Sequence, residues 1–304
     1  MITLYDIPAI PPLSAWSPNT WKTRFTLNYK DLPYKTEWIE YPDITPLYKE
    51  HNIAPTGFYP DGSAYHSLPV IKDEDESTGE VTYVAESLEI AKYLDKKYPA
   101  APKVVLEEDG TEGELLEKQK AFKDEIGKKL MFPFFLVLFK GVTPKLNPRS
   151  AAHFNIARAK DLSLLSPDKP VSNLDQVHLS PEEAKEKWQG LKKGFADFGE
   201  RYFGGKGELT WLLGDKISFG DFILGGFLLW IKTAAGEESL EWQDLLTWDD
   251  GKWKSNYAFM CPRCVEVLSA SHGHGNDRPQ FGANFHSLGV CHTWLRGKCG
   301  RVEH

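Results

Sequence analysis

Hydrophobic positions change their period part-way along this chain. In the first hundred residues they come as short β-prone runs bounded by turn residues: Ile2-Thr3-Leu4-Tyr5, then Tyr34 to Ile39, then Val70-Ile71 and Val81-Thr82-Tyr83-Val84. Two helices interrupt them. Ser17-Pro18 predicts the first, over about Pro18 to Tyr29, because serine is a favoured N-cap and proline is tolerated where its missing N–H would be unpaired anyway. Asp31-Leu32-Pro33 ends it. The second follows Glu86-Ser87, with Leu88, Ala91 and Leu94 on one face and Pro99 as its stop. The proline-broken stretch Ile7 to Leu13 is a connection, Asp43 to Asn52 a partly helical crossover, and Asp73 to Glu80 a hairpin loop around Gly79.

From Gly113 onward the period is helical only. Glu114 to Lys140 reads as one long helix kinked at Pro133, with the apolar cluster Met131 to Phe139 forming core and part of a cavity wall. Asn147 to Leu165 is a second helix. Ser180-Pro181-Glu182-Glu183 is a capping box that opens a third, to about Tyr202, closed by Gly204-Gly205-Lys206-Gly207. In Ser218-Phe219-Gly220-Asp221 the serine caps the Asp221 N–H, the Asp221 carboxylate returns to the Ser218 N–H, and Ile217 staples onto Phe222. A buried helix, Phe222 to Lys232, and a shorter one, Glu238 to Trp248, complete the pattern. The fold class is therefore α+β. A β-containing domain spans 1–100, a linker 101–112, a helical domain 113–252 and an atypical tail 253–304.

Composition narrows the function. With 304 residues and 41% hydrophobic content, the chain has the material for two packed cores. A net charge of -7 argues against a general nucleic-acid binder, which needs a basic face to displace counterions. No 18-residue uncharged apolar run is present, and Met1 to Ser14 lacks a basic stretch followed by an apolar one, so a cytoplasmic protein with no membrane span is expected. All four cysteines, Cys261, Cys264, Cys291 and Cys299, fall in the tail, which excludes a disulfide framework for the body. With five histidines they suggest zinc, but their spacing lies outside the usual patterns and no metal is expected. The tail reads as a poorly structured extension, lacking a helical period from Lys254.

Candidate chemistry gathers at three places. Pro69 breaks the run Tyr65 to Ile71 and cannot sit in a central strand. With a cis bond into it, the N–H and C=O of Leu68 become a docking edge for an extended peptide. Glu86-Ser87 opens a helix, where a hydroxyl and fresh N–H groups hold a carboxylate and the Glu86 side chain takes an ammonium. Ser17 sits at the other helix start. Each of these also has a purely structural reading, as an edge strand or a cap.

Taken together, strand, proline, strand, Glu-Ser and helix, with the Ser218/Asp221 box in the helical half, resemble the glutathione transferases. Ser-Pro-Asn-Thr-Trp-Lys-Thr-Arg at the first helix is most similar to the serine-type branch, the fungal FuA class and the bacterial etherase relatives. The resemblance implies a thioredoxin-like first domain and an all-α second one. It implies Ser17 as the catalytic residue, its hydroxyl turned to the glutathione sulfur, and glutathione, the co-substrate, held by Leu68, Pro69, Glu86 and Ser87. A hydrophobic aromatic acceptor and a homodimer are implied as partners. A serine cannot form a mixed disulfide, so dithiol redox chemistry is out. The alternative reading is a non-catalytic carrier of aromatic small molecules.

Overall fold

The computed structural model describes residues 1–260 apart from 12, 205–210 and 215. Strand β1 (Ile2–Asp6) leads through helix α1 (Pro18–Tyr29) to β2 (Tyr34–Trp38), which pairs parallel with β1, Ile2 opposite Tyr34, as a helical crossover permits. A 3₁₀ turn at Tyr41–Asp43 runs into α2 (Ile44–Glu50), followed by a small hairpin, β3 (Gly57–Phe58) with β4 (Ala64–Tyr65). Strands β5 (Val70–Glu74) and β6 (Val81–Ala85) then add antiparallel to β1, giving the order β2-β1-β5-β6. Helix α3 (Ser87–Lys97) closes this half.

Helix α1 is buried from Thr20 through Leu27 because it is covered on two sides. Leu27 packs with Ile2, Leu4, Ile71, Ile90 and Leu94 in a small core between sheet and helices. Phe25 meets Phe222 at 5.9 Å on the opposite side, inside a larger core that continues through the helical half. A helix enclosed this way cannot shift without disturbing both cores.

The helical half contains α4 (Glu114–Ile126), α5 (Phe132–Leu138), α6 (Pro148–Leu165), α7 (Pro181–Phe203), α8 (Phe219–Ala235), α9 (Leu240–Leu245) and α10 (Lys252–Met260). Two expectations are corrected. The helix read as Glu114 to Lys140 is broken by a π-helical stretch at Gly127–Met131, where the Phe132 N–H bonds the Gly127 carbonyl. The widened turn stands directly before Pro133, which has no N–H to continue an α-helical ladder. The loss of helical period read from Lys254 is also wrong as far as Met260. Trp253, Asn256 and Met260 share one buried face, the i, i+3, i+7 spacing of a packed helix. Gly204 ends α7 in the left-handed conformation, φ 68°. The rest of the Gly204–Gly207 closure, the four cysteines and the proposed zinc spacing lie outside the described residues.

The linker is pinned. Asp95, wholly buried on α3, accepts the N–H groups of Val104, Val105 and Leu106 at 2.9–3.2 Å and the Lys30 ammonium at 2.7 Å. Its carboxylate thus ties α1, α3 and the path between the two halves into one unit, and Val104 to Leu106 are buried rather than solvated. At the start of α8 the return half of the Ser218/Asp221 box is formed, while the Asp221 N–H bonds the Ser218 main-chain carbonyl at 3.1 Å in place of the Ser218 hydroxyl. The Asp221 carboxylate accepts from the Ser218 N–H at 2.8 Å, the Ser218 hydroxyl at 2.9 Å and the Leu212 N–H at 2.8 Å.

Candidate functional site

Ser17 caps α1, accepting the Asn19 N–H at 3.3 Å, and its own carbonyl takes the Thr20 hydroxyl at 3.2 Å and the Trp21 N–H at 3.1 Å. Capping uses a lone pair of the Ser17 hydroxyl, and no described residue accepts its proton. No acidic side chain lies in the first turn of α1, so the positive end of the helix dipole at Ser17 is uncompensated. Position is set from behind: a Cβ on Gly226 would lie 2.8 Å from the Pro18 carbonyl, so only glycine lets α8 approach α1 this closely.

Leu68 and Pro69 precede β5, and the bond between them is cis. The Leu68 side chain is buried, while its N–H and C=O have no protein partner among the described residues. Neighbouring groups are held firmly: the Tyr48 hydroxyl donates to the Ser67 carbonyl at 2.6 Å, and Thr56 and Ser67 hydroxyls pair at 3.0 Å.

Pairing of Val70 with Ala85 brings Glu86-Ser87 beside Pro69, and the Glu86 N–H reaches the Pro69 carbonyl at 3.3 Å. Glu86 adopts φ 74°, uncommon for a residue with a side chain and characteristic of positions whose direction matters. Its carboxylate accepts from the Leu88 N–H at 3.0 Å, the Glu89 N–H at 3.3 Å, the Ser87 hydroxyl at 3.3 Å and the Lys123 ammonium at 2.8 Å. The ammonium it meets therefore comes from α4. Burial alone would raise the Glu86 pKa, but Lys123 and Lys22 outweigh it and hold the carboxyl below its ordinary range.

Lys22 was not singled out by sequence reasoning. It lies on the enclosed helix α1 and its ammonium donates to the Asn19 side-chain Oδ1 at 2.9 Å. Burial pushes its pKa down to about 8, with Glu86 opposing the shift. Lys22 and Glu86 thus connect the start of α1 electrostatically to the Glu-Ser corner. In the sequence Lys22 is one of two cations on α1, with Arg24, and nothing local sets it apart.

Two clefts meet at Ser17. One, about 360 Å³, contains Ser67 and Leu68 together with Thr45, His66 and Lys160, and is rich in polar groups. The other, about 380 Å³, is walled by Trp16, Met131, Phe132, Phe135, Phe154 and Trp230. Ser17, Asn19, Tyr41 and Arg158 border both. Pro69, Glu86 and Ser87 line neither cleft; Pro69 follows Leu68 in the chain and is hydrogen-bonded to Glu86. Tyr41 and Arg158 come from distant segments and carried no local sequence signal. Burial pushes the Tyr41 hydroxyl well above its ordinary pKa, so it stays protonated and a donor. Among the described residues no group of three His, Cys, Asp or Glu side chains is placed to hold a metal, and no helix is long and apolar enough to cross a membrane.

An apolar cleft and a polar cleft adjoin at Ser17, the start of α1, and known proteins bear on this arrangement. The model of the glutathione S-transferase N-terminal domain matches residues 16–97, and that of the C-terminal domain residues 118–260. A glutathione S-transferase of Ceriporiopsis subvermispora, solved in complex with glutathione, is 34% identical, with 91% of this chain and 99% of that one covered, at a TM-score of 0.71. Glutathione transferase GSTFuA3 of Phanerochaete chrysosporium is 33% identical, with 90% and 98% covered, at a TM-score of 0.70. A curated relative, the glutathione S-transferase-like protein ustS of Aspergillus flavus, is 29% identical over 249 residues, 79% of this chain and 82% of the relative. Both halves match the family's two domains and the fungal structures align almost end to end, so the chain belongs to the glutathione S-transferase family, with FuA-type fungal enzymes among its structural neighbours.

Proposed function

We propose that the protein binds glutathione in the polar cleft, stabilises its thiolate with the Ser17 hydroxyl, and transfers the sulfur to a hydrophobic aromatic electrophile held in the aromatic cleft. One observation carries this reading: Ser17 borders both clefts and has a hydroxyl proton no described residue accepts. A free thiol of pKa about 8.5 is roughly 3% ionised at pH 7, and lowering that value by about two units, worth about 2.7 kcal/mol, makes it mostly thiolate. A donated O–H and the uncompensated start of α1 both favour the charged sulfur, without the serine forming a bond. The free N–H and C=O of Leu68 would pair with the peptide's main chain.

The γ-glutamyl end would reach Glu86-Ser87. All four acceptor positions of Glu86 are engaged within the chain, so a ligand ammonium must take the place of the Lys123 ammonium, which is then free for the ligand's carboxylate. Holding thiolate and acceptor in adjoining clefts adds proximity. Displacement at an aryl ether uses the same geometry and belongs to this reading. Homodimerisation and a cytoplasmic location rest on the family resemblance.

The test is conjugation of glutathione to chlorodinitrobenzene. Wild type should turn over while Ser17→Ala retains glutathione on an affinity matrix and loses most of kcat. Retention by both with no turnover above the uncatalysed rate would favour a non-catalytic carrier of aromatic compounds. Failure of both to retain glutathione would refute the proposal.

A further inference from the structure

Helix α1 carries a buried ammonium with a single hydrogen bond. Lys22 is 7% exposed, and among the described residues its Nζ donates only to Asn19 Oδ1, at 2.9 Å. Keeping that charge out of water is costly, as the fall of its pKa to about 8 records, and an apolar side chain would fill the same space without the cost. Glu86, whose charge opposes the shift, is bonded to Lys123 and not to Lys22. What Lys22 does in this position is hold one side-chain amide.

That hold settles which way the amide is turned. An ammonium has only hydrogens to offer, so the atom facing Lys22 is the amide oxygen, and the nitrogen takes the other branch of the planar group. Lys22 borders neither cleft, whereas Asn19 is exposed and borders both, together with Ser17. The Asn19 main-chain N–H meets Ser17 Oγ at 3.3 Å, so the root of its side chain stands beside that hydroxyl. No described residue accepts from Asn19 Nδ2, which leaves two reachable N–H groups unspent next to Ser17. Asparagine is also not the residue that helix stability favours here. An aspartate in the first turn of α1 would offset the helix dipole, yet no acidic side chain is present there.

We propose that Lys22 is a positioning residue for the bound sulfur: by holding the Asn19 oxygen inward it keeps the amide N–H groups toward the space Ser17 shares with both clefts, where they give the thiolate a second donor. This rests on the transferase reading above. Hydrogen bonds made to the charged form of a group lower its pKa, and a donor turned to its place before the ligand arrives costs no reorganisation. An amide free to rotate would present its oxygen as readily, and an oxygen repels a thiolate. An aspartate would do so at all times.

The test titrates the ultraviolet thiolate absorbance of glutathione bound to wild type and to variants of this pair. Asn19→Ala should raise the pKa of the bound thiol by about half a unit, about threefold in its ionisation constant, the effect of one modest hydrogen bond. Asn19→Asp keeps a partner for Lys22 and adds a favourable charge to the helix start, so its unfolding midpoint should match or exceed that of wild type while its thiol pKa rises by about one unit. A purely structural contact between Lys22 and Asn19 predicts no change in the thiol. Lys22→Met should raise the thiol pKa in wild type but add much less in the Asn19→Ala background, because it acts through the amide. Additive effects would show Lys22 acting by its own charge and overturn the positioning role, as would an unmoved thiol in Asn19→Asp. Nitrogen-15 NMR of the wild-type Asn19 side-chain amide decides the matter without any substitution: a shift on binding glutathione that S-methylglutathione does not produce supports the second donor, and equal shifts refute it. A thiol pKa raised in Ser17→Ala and unmoved in the Asn19 variants refutes this inference and leaves the transferase reading standing. The reverse pattern supports the inference and counts only against the part given to Ser17.

Discussion

Replacing Glu86 by alanine separates the roles this carboxylate holds at once. It caps α3 through the N–H groups of Leu88 and Glu89, and loss of a cap costs about 1 kcal/mol. It is also the partner of the Lys123 ammonium at 2.8 Å and the main favourable charge near the buried Lys22. Removing one member of a half-buried ion pair, its side chains 33% and 29% exposed, costs about 1 kcal/mol more, giving a loss of about 2 kcal/mol in all. Urea unfolding at pH 7 should show this as a lower midpoint with an unchanged slope. The pH dependence identifies the source. Lys22 has a folded pKa lowered to about 8, below its unfolded value of about 10.4, so the unfolded state binds more protons and stability rises with pH across that window. Without Glu86 the Lys22 pKa falls further and the rise begins at lower pH. The deficit of the variant should therefore narrow between pH 7 and pH 10. Glu86→Gln, which keeps one capping oxygen and loses the charge, should fall between wild type and alanine. A Glu86→Ala protein with the wild-type midpoint, or with a deficit constant from pH 7 to pH 10, would refute the coupling of Lys22 to this corner.

Gly226→Ala puts a Cβ 2.8 Å from the Pro18 carbonyl and must displace the start of α1, so we expect about 1–3 kcal/mol of destabilisation and a lower kcat. Gly190→Ala on α7, with nothing within 4 Å of the added carbon, should be neutral or slightly stabilising in the same thermal scan. Asp221 is pushed by burial to about 6, above its unfolded value of about 3.9, so its folded form binds a proton more tightly and stability falls as pH rises from about 4 to about 6. Subtracting the Asp221→Asn unfolding profile from wild type should expose that fall, on the order of 2–3 kcal/mol, and two parallel profiles would exclude it.

What the sequence disclosed was the chemistry of neighbours. Ser17-Pro18 marked the start of α1, Ser180 with Glu183 and Ser218 with Asp221 marked two more helices, and Leu68-Pro69 marked the entry to β5, because caps and prolines act within a few residues. Hidden features depend on partners far along the chain. Asp95 meets Lys30 and the N–H groups of 104–106, Glu86 meets Lys123, and Trp16 meets Phe154; no period or motif encodes those encounters. The π-helical break before Pro133 was legible as a kink but not in form, since the sequence places the missing N–H without saying how the turn absorbs it. Helix α10 was misread because its buried face is made of Trp253, Asn256 and Met260, in which a polar residue interrupts the apolar stripe.

The proposed chemistry depends on the ionisation of one sulfur. Titrating the ultraviolet thiolate absorbance of glutathione bound to wild type and to Ser17→Ala measures it without any acceptor. A bound thiol in wild type roughly two pKa units below the free value of about 8.5, returning most of the way in the variant, is the predicted result. Equal thiol pKa values in the two proteins, or a wild-type value no lower than that of free glutathione, would contradict it.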